Sequence, residues 1–148
     1  MKRRLQASLV VLAVVVLALS AWGQVTSARL LNSAKEPQNW LTYSGDYAGH
    51  RFSALDQVTI GNVRSLVAKW VYQTGATGKF ETTPLAVDGI LYGTAPDNRA
   101  FALDAHSGRP IWLYQRQLPA DIRPCCGRIN RGVAVLENRV LWERWMRT

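Results

Sequence analysis

The sequence predicts an all-β fold built of short antiparallel strands. Three observations carry this. Alternating runs rich in Val, Ile, Trp and Tyr begin at Leu66 and recur to Leu141. An Asp-Gly pair, Asp88-Gly89, sits between two apolar runs. Turn residues return at even intervals, which leaves no room for a long helical stripe. Short strands at such spacing indicate a sandwich, a barrel or a propeller.

The elements follow in order. Gln24 to about Gln38 is polar without strong periodicity and reads as a linker or ill-packed arm (24–38). Asn39 to Asn62 is rich in Gly, Asp, Ser and Tyr and carries several turn signals. Thr59 could cap a short helix within Val58–Ser65. Leu66–Gln73 alternates and reads as a strand. Thr83–Val87 and Ile90–Thr94 flank Asp88-Gly89, and both turn residues tolerate positive φ, so a tight hairpin is expected. Ala100–Asp104 is a further strand. His106-Ser107-Gly108 is a turn, and Ile111–Gln115 is the next strand. Pro119–Arg131 reads as loop. Gly132–Leu136 and Val140–Leu141 form another hairpin turned at Glu137-Asn138.

Composition and the first residues narrow the function. The chain has 148 residues and a formal charge of +8. Without Lys2, Arg3 and Arg4, 15 basic residues stand against 10 acidic ones, or +5. The rest are scattered singly rather than gathered as a phosphate footprint, so nucleic acid is not an expected partner. Lys2–Arg4 precede an apolar run from Ala7 to Leu19, and Ala21-Trp22-Gly23 offers a small-residue cleavage site before Gln24. This is the layout of a signal peptide over 1–23, implying a periplasmic or secreted protein with no stable membrane span after cleavage. An uncleaved anchor is the alternative, although the run is short for a span of about 20 residues. The two cysteines, Cys125 and Cys126, are adjacent. They are either both free or bonded to each other. They do not make a structural zinc set.

One constellation is more specific. In Ala102-x-Asp104-x-x-Ser107-Gly108-x-x-x-Trp112 a small residue permits close approach, an Asp can accept from turn amides, a Gly turns the chain and a Trp caps a neighbouring blade. This resembles the tryptophan-docking motif of PQQ-type propeller blades, with Ser where Thr is usual. Three further segments extend the resemblance: NWLTYSGDYAGHRFSALDQVTIGNV, KFETTPLAVDGILYG and CCGRINRGVAV. Together they are similar to the opening of the pyrroloquinoline quinone (PQQ) dependent methanol/ethanol-type alcohol dehydrogenases, over about Asn39 to Val140.

The resemblance implies an incomplete β-propeller over 39–141, the first one to two blades of an eight-bladed PQQ-repeat type. It also implies a cofactor berth. PQQ is a flat tricyclic quinone with three carboxylates, so it calls for a flat platform, cations and quinone-oxygen donors. By resemblance, a disulfide between Cys125 and Cys126 packs on the cofactor plane. Arg131 donates to the quinone oxygens, where a guanidinium fork can stabilise developing negative charge, and Glu81 contacts the cofactor. Arg128 and Asn130 flank this site without an assigned role. The family oxidises small primary alcohols, uses Ca²⁺ or a lanthanide as Lewis acid and passes electrons to a cytochrome c. Metal ligands, the general base and the opposite stacking Trp are expected in later blades, so no catalytic base or metal ligand is named here.

The tail Trp142–Thr148 departs from the expected blade continuation. Back-translated with chosen synonymous codons and read two bases later, Leu141–Thr148 gives Val-Gly-Thr-Leu-Asp-Ala-His. A frameshift near Val140 is therefore the expectation, with a fragment that folds poorly and is inactive alone. Two other readings compete. A non-catalytic propeller scaffold would have no use for Cys125, Cys126 and Arg131, and a thiol-redox protein would call for spaced cysteines.

Overall fold

The computed structural model describes residues 25–119, 121–122 and 127–143. The leader over 1–23, Cys125, Cys126 and most of the 142–148 tail lie outside the described residues. Among the described residues no helix is long and apolar enough to cross a membrane.

A four-stranded antiparallel meander forms the centre: β1 (Leu85–Val87), β2 (Ile90–Ala95), β3 (Arg99–Asp104) and β4 (Pro110–Gln115), in spatial order β1-β2-β3-β4. A second, two-stranded sheet pairs β5 (Ala134–Leu136) with β6 (Arg139–Leu141). The Asp88-Gly89 hairpin closes as expected. Val87 pairs with Ile90, and both turn residues have positive φ (49° and 79°). That turn matches the right-handed twist of the flanking strands. The β5–β6 turn also forms where expected, with Glu137 at φ 54°.

Strands β1–β3 are covered on both faces, whereas β4 stays largely exposed, with Ile111 at 52% and Leu113 at 55%. Because side chains alternate along a strand, Leu85 and Val87 point one way, and Leu103 and Phe101 the other. The first face packs with Val25, Leu30, Leu41 and Val135 around it. The second packs Ala95, Phe101 and Leu103 against Trp70, Tyr72 and Ala76.

Three expectations need correction. The 24–38 segment is not an ill-packed arm where it is described. Val25 is fully buried and bridges Glu137. A short helix, α1 (Ser27–Leu31), is capped by the Thr26 hydroxyl accepting from the Arg29 amide and buries Leu30. Five helical residues are too few for a readable period, so tertiary packing decides this element. Leu66–Gln73 is extended but joins no ladder among the described residues. Trp70 and Tyr72 face the sheet, while Val67 and Val71 remain 85% and 80% exposed. Its alternation is real, but no neighbouring strand supplies backbone partners. The helix expected within Val58–Ser65 shrinks to one 3₁₀ turn, Val63–Ser65, and the Thr59 carbonyl, not its hydroxyl, accepts from Val63.

Candidate functional site

The docking motif organises the β3–β4 connection. The Asp104 carboxylate accepts from the Ser107 amide at 2.7 Å and the Ser107 hydroxyl at 2.6 Å. Those bonds favour the charged form and hold Asp104 below the usual carboxylate range. The Gly108 amide donates to the Asp104 carbonyl at 2.8 Å, with Gly108 at φ 73°. A Cβ on Gly108 would lie 2.5 Å from the Trp70 ring, and the Trp70 indole N–H donates to the Ala105 carbonyl at 3.1 Å. The Trp seated on this motif is therefore Trp70, from the extended segment upstream. Trp112 lies on the opposite face, beside Tyr92 with ring centroids 6.2 Å apart.

Of the four residues assigned to the cofactor berth, the structure brings two together. Glu81 precedes β1 and Arg131 precedes β5. The Thr83 amide donates to the Arg131 carbonyl at 3.0 Å, and Thr83 bridges Gly132 in parallel. This zip leaves Arg131 Nε 3.3 Å from a Glu81 carboxylate oxygen, both side chains open to solvent. Gly132 is needed at this crossing: its φ is 136°, and a Cβ would come 2.9 Å from the Thr83 carbonyl. Cys125 and Cys126 lie outside the described residues.

Residues that the sequence left without a role build the frame. Thr94 is fully buried. Its amide donates to the Thr82 hydroxyl at 3.1 Å, and its own hydroxyl lies 2.9 Å from that oxygen. The Asn130 side-chain oxygen accepts from the Gly132 amide at 3.0 Å, and its amide nitrogen donates to the Glu143 carbonyl at 2.7 Å. The Asn-x-Gly spacing of Asn130 and Gly132 was the available signal, since Asn side chains commonly bond backbone two residues on. Thr82 and Thr94 gave no signal; isolated Thr residues are common in strands.

The setting suits a planar anionic cofactor. A cleft of about 530 Å³ is lined by Thr77, Gly78, Lys79, Asp97, Arg128 and Ile129, among others. Lys79 and Arg128 there, with Arg131 nearby in sequence, are cations of the kind that carboxylates require. Among the described residues, a Cβ on Gly127, φ 91°, would meet nothing within 4 Å. These cations have the charge that PQQ's carboxylates would require, although Glu81 and Arg131 do not line this cleft and Asp97 in it faces Arg128. Among the described residues no cluster of three or more His, Cys, Asp or Glu could hold a metal ion.

Comparison with known proteins identifies the family and the fold. The family model "Glucose/ethanol/alcohol dehydrogenase, beta-propeller domain" matches residues 40–144. The quinoprotein alcohol dehydrogenase PedH of Pseudomonas putida is 38% identical over 143 residues, which cover 95% of this chain and 24% of that protein. The solved quinohemoprotein alcohol dehydrogenase ADHIIG of Pseudomonas putida HK5 superposes with a TM-score of 0.72 at 38% identity, over 79% of this chain and 17% of that one. A europium-containing methanol dehydrogenase gives a TM-score of 0.71 at 29% identity, over 78% of this chain and 21% of that one. The chain thus spans about a quarter or less of the length of these relatives. The four-stranded meander is a propeller blade, β5–β6 opens a further sheet, and the described part is a partial, unclosed propeller. The chain belongs to the PQQ-type glucose/ethanol/alcohol dehydrogenase β-propeller family.

Proposed function

We propose that this chain supplies one wall of the cofactor berth of a periplasmic PQQ-dependent alcohol dehydrogenase. The observation that carries the reading is the meeting of Glu81 and Arg131, 50 residues apart in sequence, at 3.3 Å on an open surface. PQQ, when bound, accepts the two electrons removed from a small primary alcohol. Arg131 would hold the quinone through its guanidinium, a donor able to stabilise negative charge developing on a quinone oxygen. Glu81 orients that guanidinium and accepts hydrogen bonds. Cys125 and Cys126, joined as a vicinal disulfide, form the flat face under the cofactor.

The remaining parts of the reading follow from the relatives. The europium-containing methanol dehydrogenase supports a Ca²⁺ or lanthanide ion as partner of the cofactor. The quinohemoprotein relative supports a haem acceptor such as a cytochrome c. The apolar leader over 1–23 supports export to the periplasm.

A PQQ absorbance titration tests the berth. In a protein that carries the remaining blades, Arg131→Ala and Glu81→Gln are expected to weaken binding while the unaltered protein saturates. Mass spectrometry with and without reductant reads the cysteine pair, and a gain of two hydrogens on reduction is expected. Equal PQQ binding by all three proteins, or cysteines already reduced in the oxidised sample, would sink the assignment.

A further inference from the structure

The turn between β2 and β3 makes contacts that its own hairpin does not require. Asp97 and Asn98 both adopt positive φ, 61° and 60°, as Asp and Asn do in hairpin turns. The Asp97 amide donates outward to the Arg128 carbonyl at 3.1 Å. The Asp97 carboxylate lies 3.5 Å from the Arg128 guanidinium. Asn98 beside it is 4% exposed, so the turn is pressed firmly into the structure. Three residues earlier in the same hairpin, the Thr94 hydroxyl lies 2.9 Å from the Thr82 hydroxyl and 3.4 Å from the Asn130 carbonyl.

These contacts fall beside the two berth residues. Thr82 adjoins Glu81, and Asn130 adjoins Arg131. The end of β2 therefore touches both segments whose meeting defines the site. This hairpin grips the strip at Arg128 through Asp97 and at Asn130 through Thr94, while Pro119 also bonds Arg128 and Glu143 also bonds Asn130. Arg131 itself is 68% exposed at its side chain, so packing on that side chain cannot place it. Beyond its Glu81 contact, its position is set by the backbone leading into it.

We propose that Asp97 and Thr94 are positioning residues for Arg131, and that the β2–β3 hairpin acts as a clasp setting the distance between the Arg131 guanidinium and Glu81. This rests on the cofactor role proposed above. The hairpin does not touch the cofactor in this scheme; it acts through the strip it grips.

The test is a double-mutant cycle read by PQQ titration, with amide hydrogen exchange measured without cofactor. Asp97→Ala is expected to weaken PQQ binding roughly tenfold, the size of coupling found within one contact network. Thr94→Val should act similarly, and Thr94→Ser should restore binding by returning the hydroxyl. In the Arg131→Ala background, Asp97→Ala should add little. Exchange should quicken at the Thr83 and Gly132 amides in Asp97→Ala, while the β2 and β3 strand amides stay protected. That contrast separates positioning from general loosening of the fold. Wild-type affinity in Asp97→Ala, full additivity with Arg131→Ala, or unchanged exchange at Thr83 and Gly132 would each overturn the clasp. Absence of PQQ binding by the unaltered protein overturns the cofactor reading instead, and the exchange contrast then decides the clasp alone.

Discussion

The blade Leu85–Gln115 and the stretch Phe52–Gln73 before it contain apolar residues in comparable proportion, yet they end in opposite states. Leu85 and Leu103 are 1% exposed, whereas Ile60 is 98% exposed and Val71 80%. The difference lies in the hydrogen-bond ladder, not in hydrophobicity. Each blade strand finds its neighbour within a short turn, so backbone groups are paired locally and side chains stack on a defined surface. The extended stretch has an alternating pattern with no adjacent strand, so only its inward residues, Trp70 and Tyr72, reach a core. Apolar alternation states which face a strand would bury. It does not state whether a partner is there to make the strand.

The sharpest test of this contrast is truncation on either side of it. Leu85→Ala is expected to cost about 3 kcal/mol, as large-to-small core changes do. Val71→Ala should stay within about 0.5 kcal/mol, as exposed positions do. Urea unfolding of both variants reads the difference, and similar midpoints would erase the distinction between the regions. Next in size is Gly108→Ala. The added methyl meets the Trp70 ring in a positive-φ position, so a loss of roughly 1–3 kcal/mol is expected. A red shift of tryptophan emission should accompany it as Trp70 is displaced. Unchanged emission would mean that the stretch is not held by that docking. Smaller again is Trp70→Phe, which keeps an aromatic ring but removes the bond to the Ala105 carbonyl; about 1 kcal/mol is expected from the same unfolding measurement.

The smallest effect concerns pH and the segment before the blade. Arg29 donates to Glu36 at 2.9 Å and to Asp88 at 2.8 Å, and Asn39 donates to both carboxylates. Hydrogen bonding by Arg29 lowers both carboxyl pKa values and raises that of Arg29. A carboxyl lowered in the folded state stabilises that state above its unfolded pKa, about 4, and loses the contribution as pH falls through the folded value. Acidification below about pH 4 should therefore release α1 from the Asp88 turn before the blade unfolds. Solvent screens the cluster, so the effect on global stability is modest. Exchange of the Leu30 and Asn32 amides against pH checks it. Protection that stays level down to the blade's own transition would mean that the ion pairs do not hold α1.

Part of this architecture was legible in the residues. Asp88-Gly89 located its hairpin because turn chemistry is local. Asp104, Ser107 and Gly108 located the docking turn for the same reason. Glu81 and Arg131 were identified as site residues only through resemblance to a family, since no spacing rule links positions 50 apart. The roles of Thr82, Thr94 and Asp97 were not legible at all. Each is an ordinary strand or turn residue whose importance lies in what crosses it.

The sequence by itself determined the all-β character, the hairpin turns and which side chains alternate toward a core, because these depend on neighbours a few residues away. Only the tertiary structure decided that Val25 and Leu30 join the core, that Trp70 rather than Trp112 covers Gly108, and that Glu81 and Arg131 meet. Those outcomes depend on contacts between distant segments, whose closure is set by packing and paired backbone groups that no local pattern encodes.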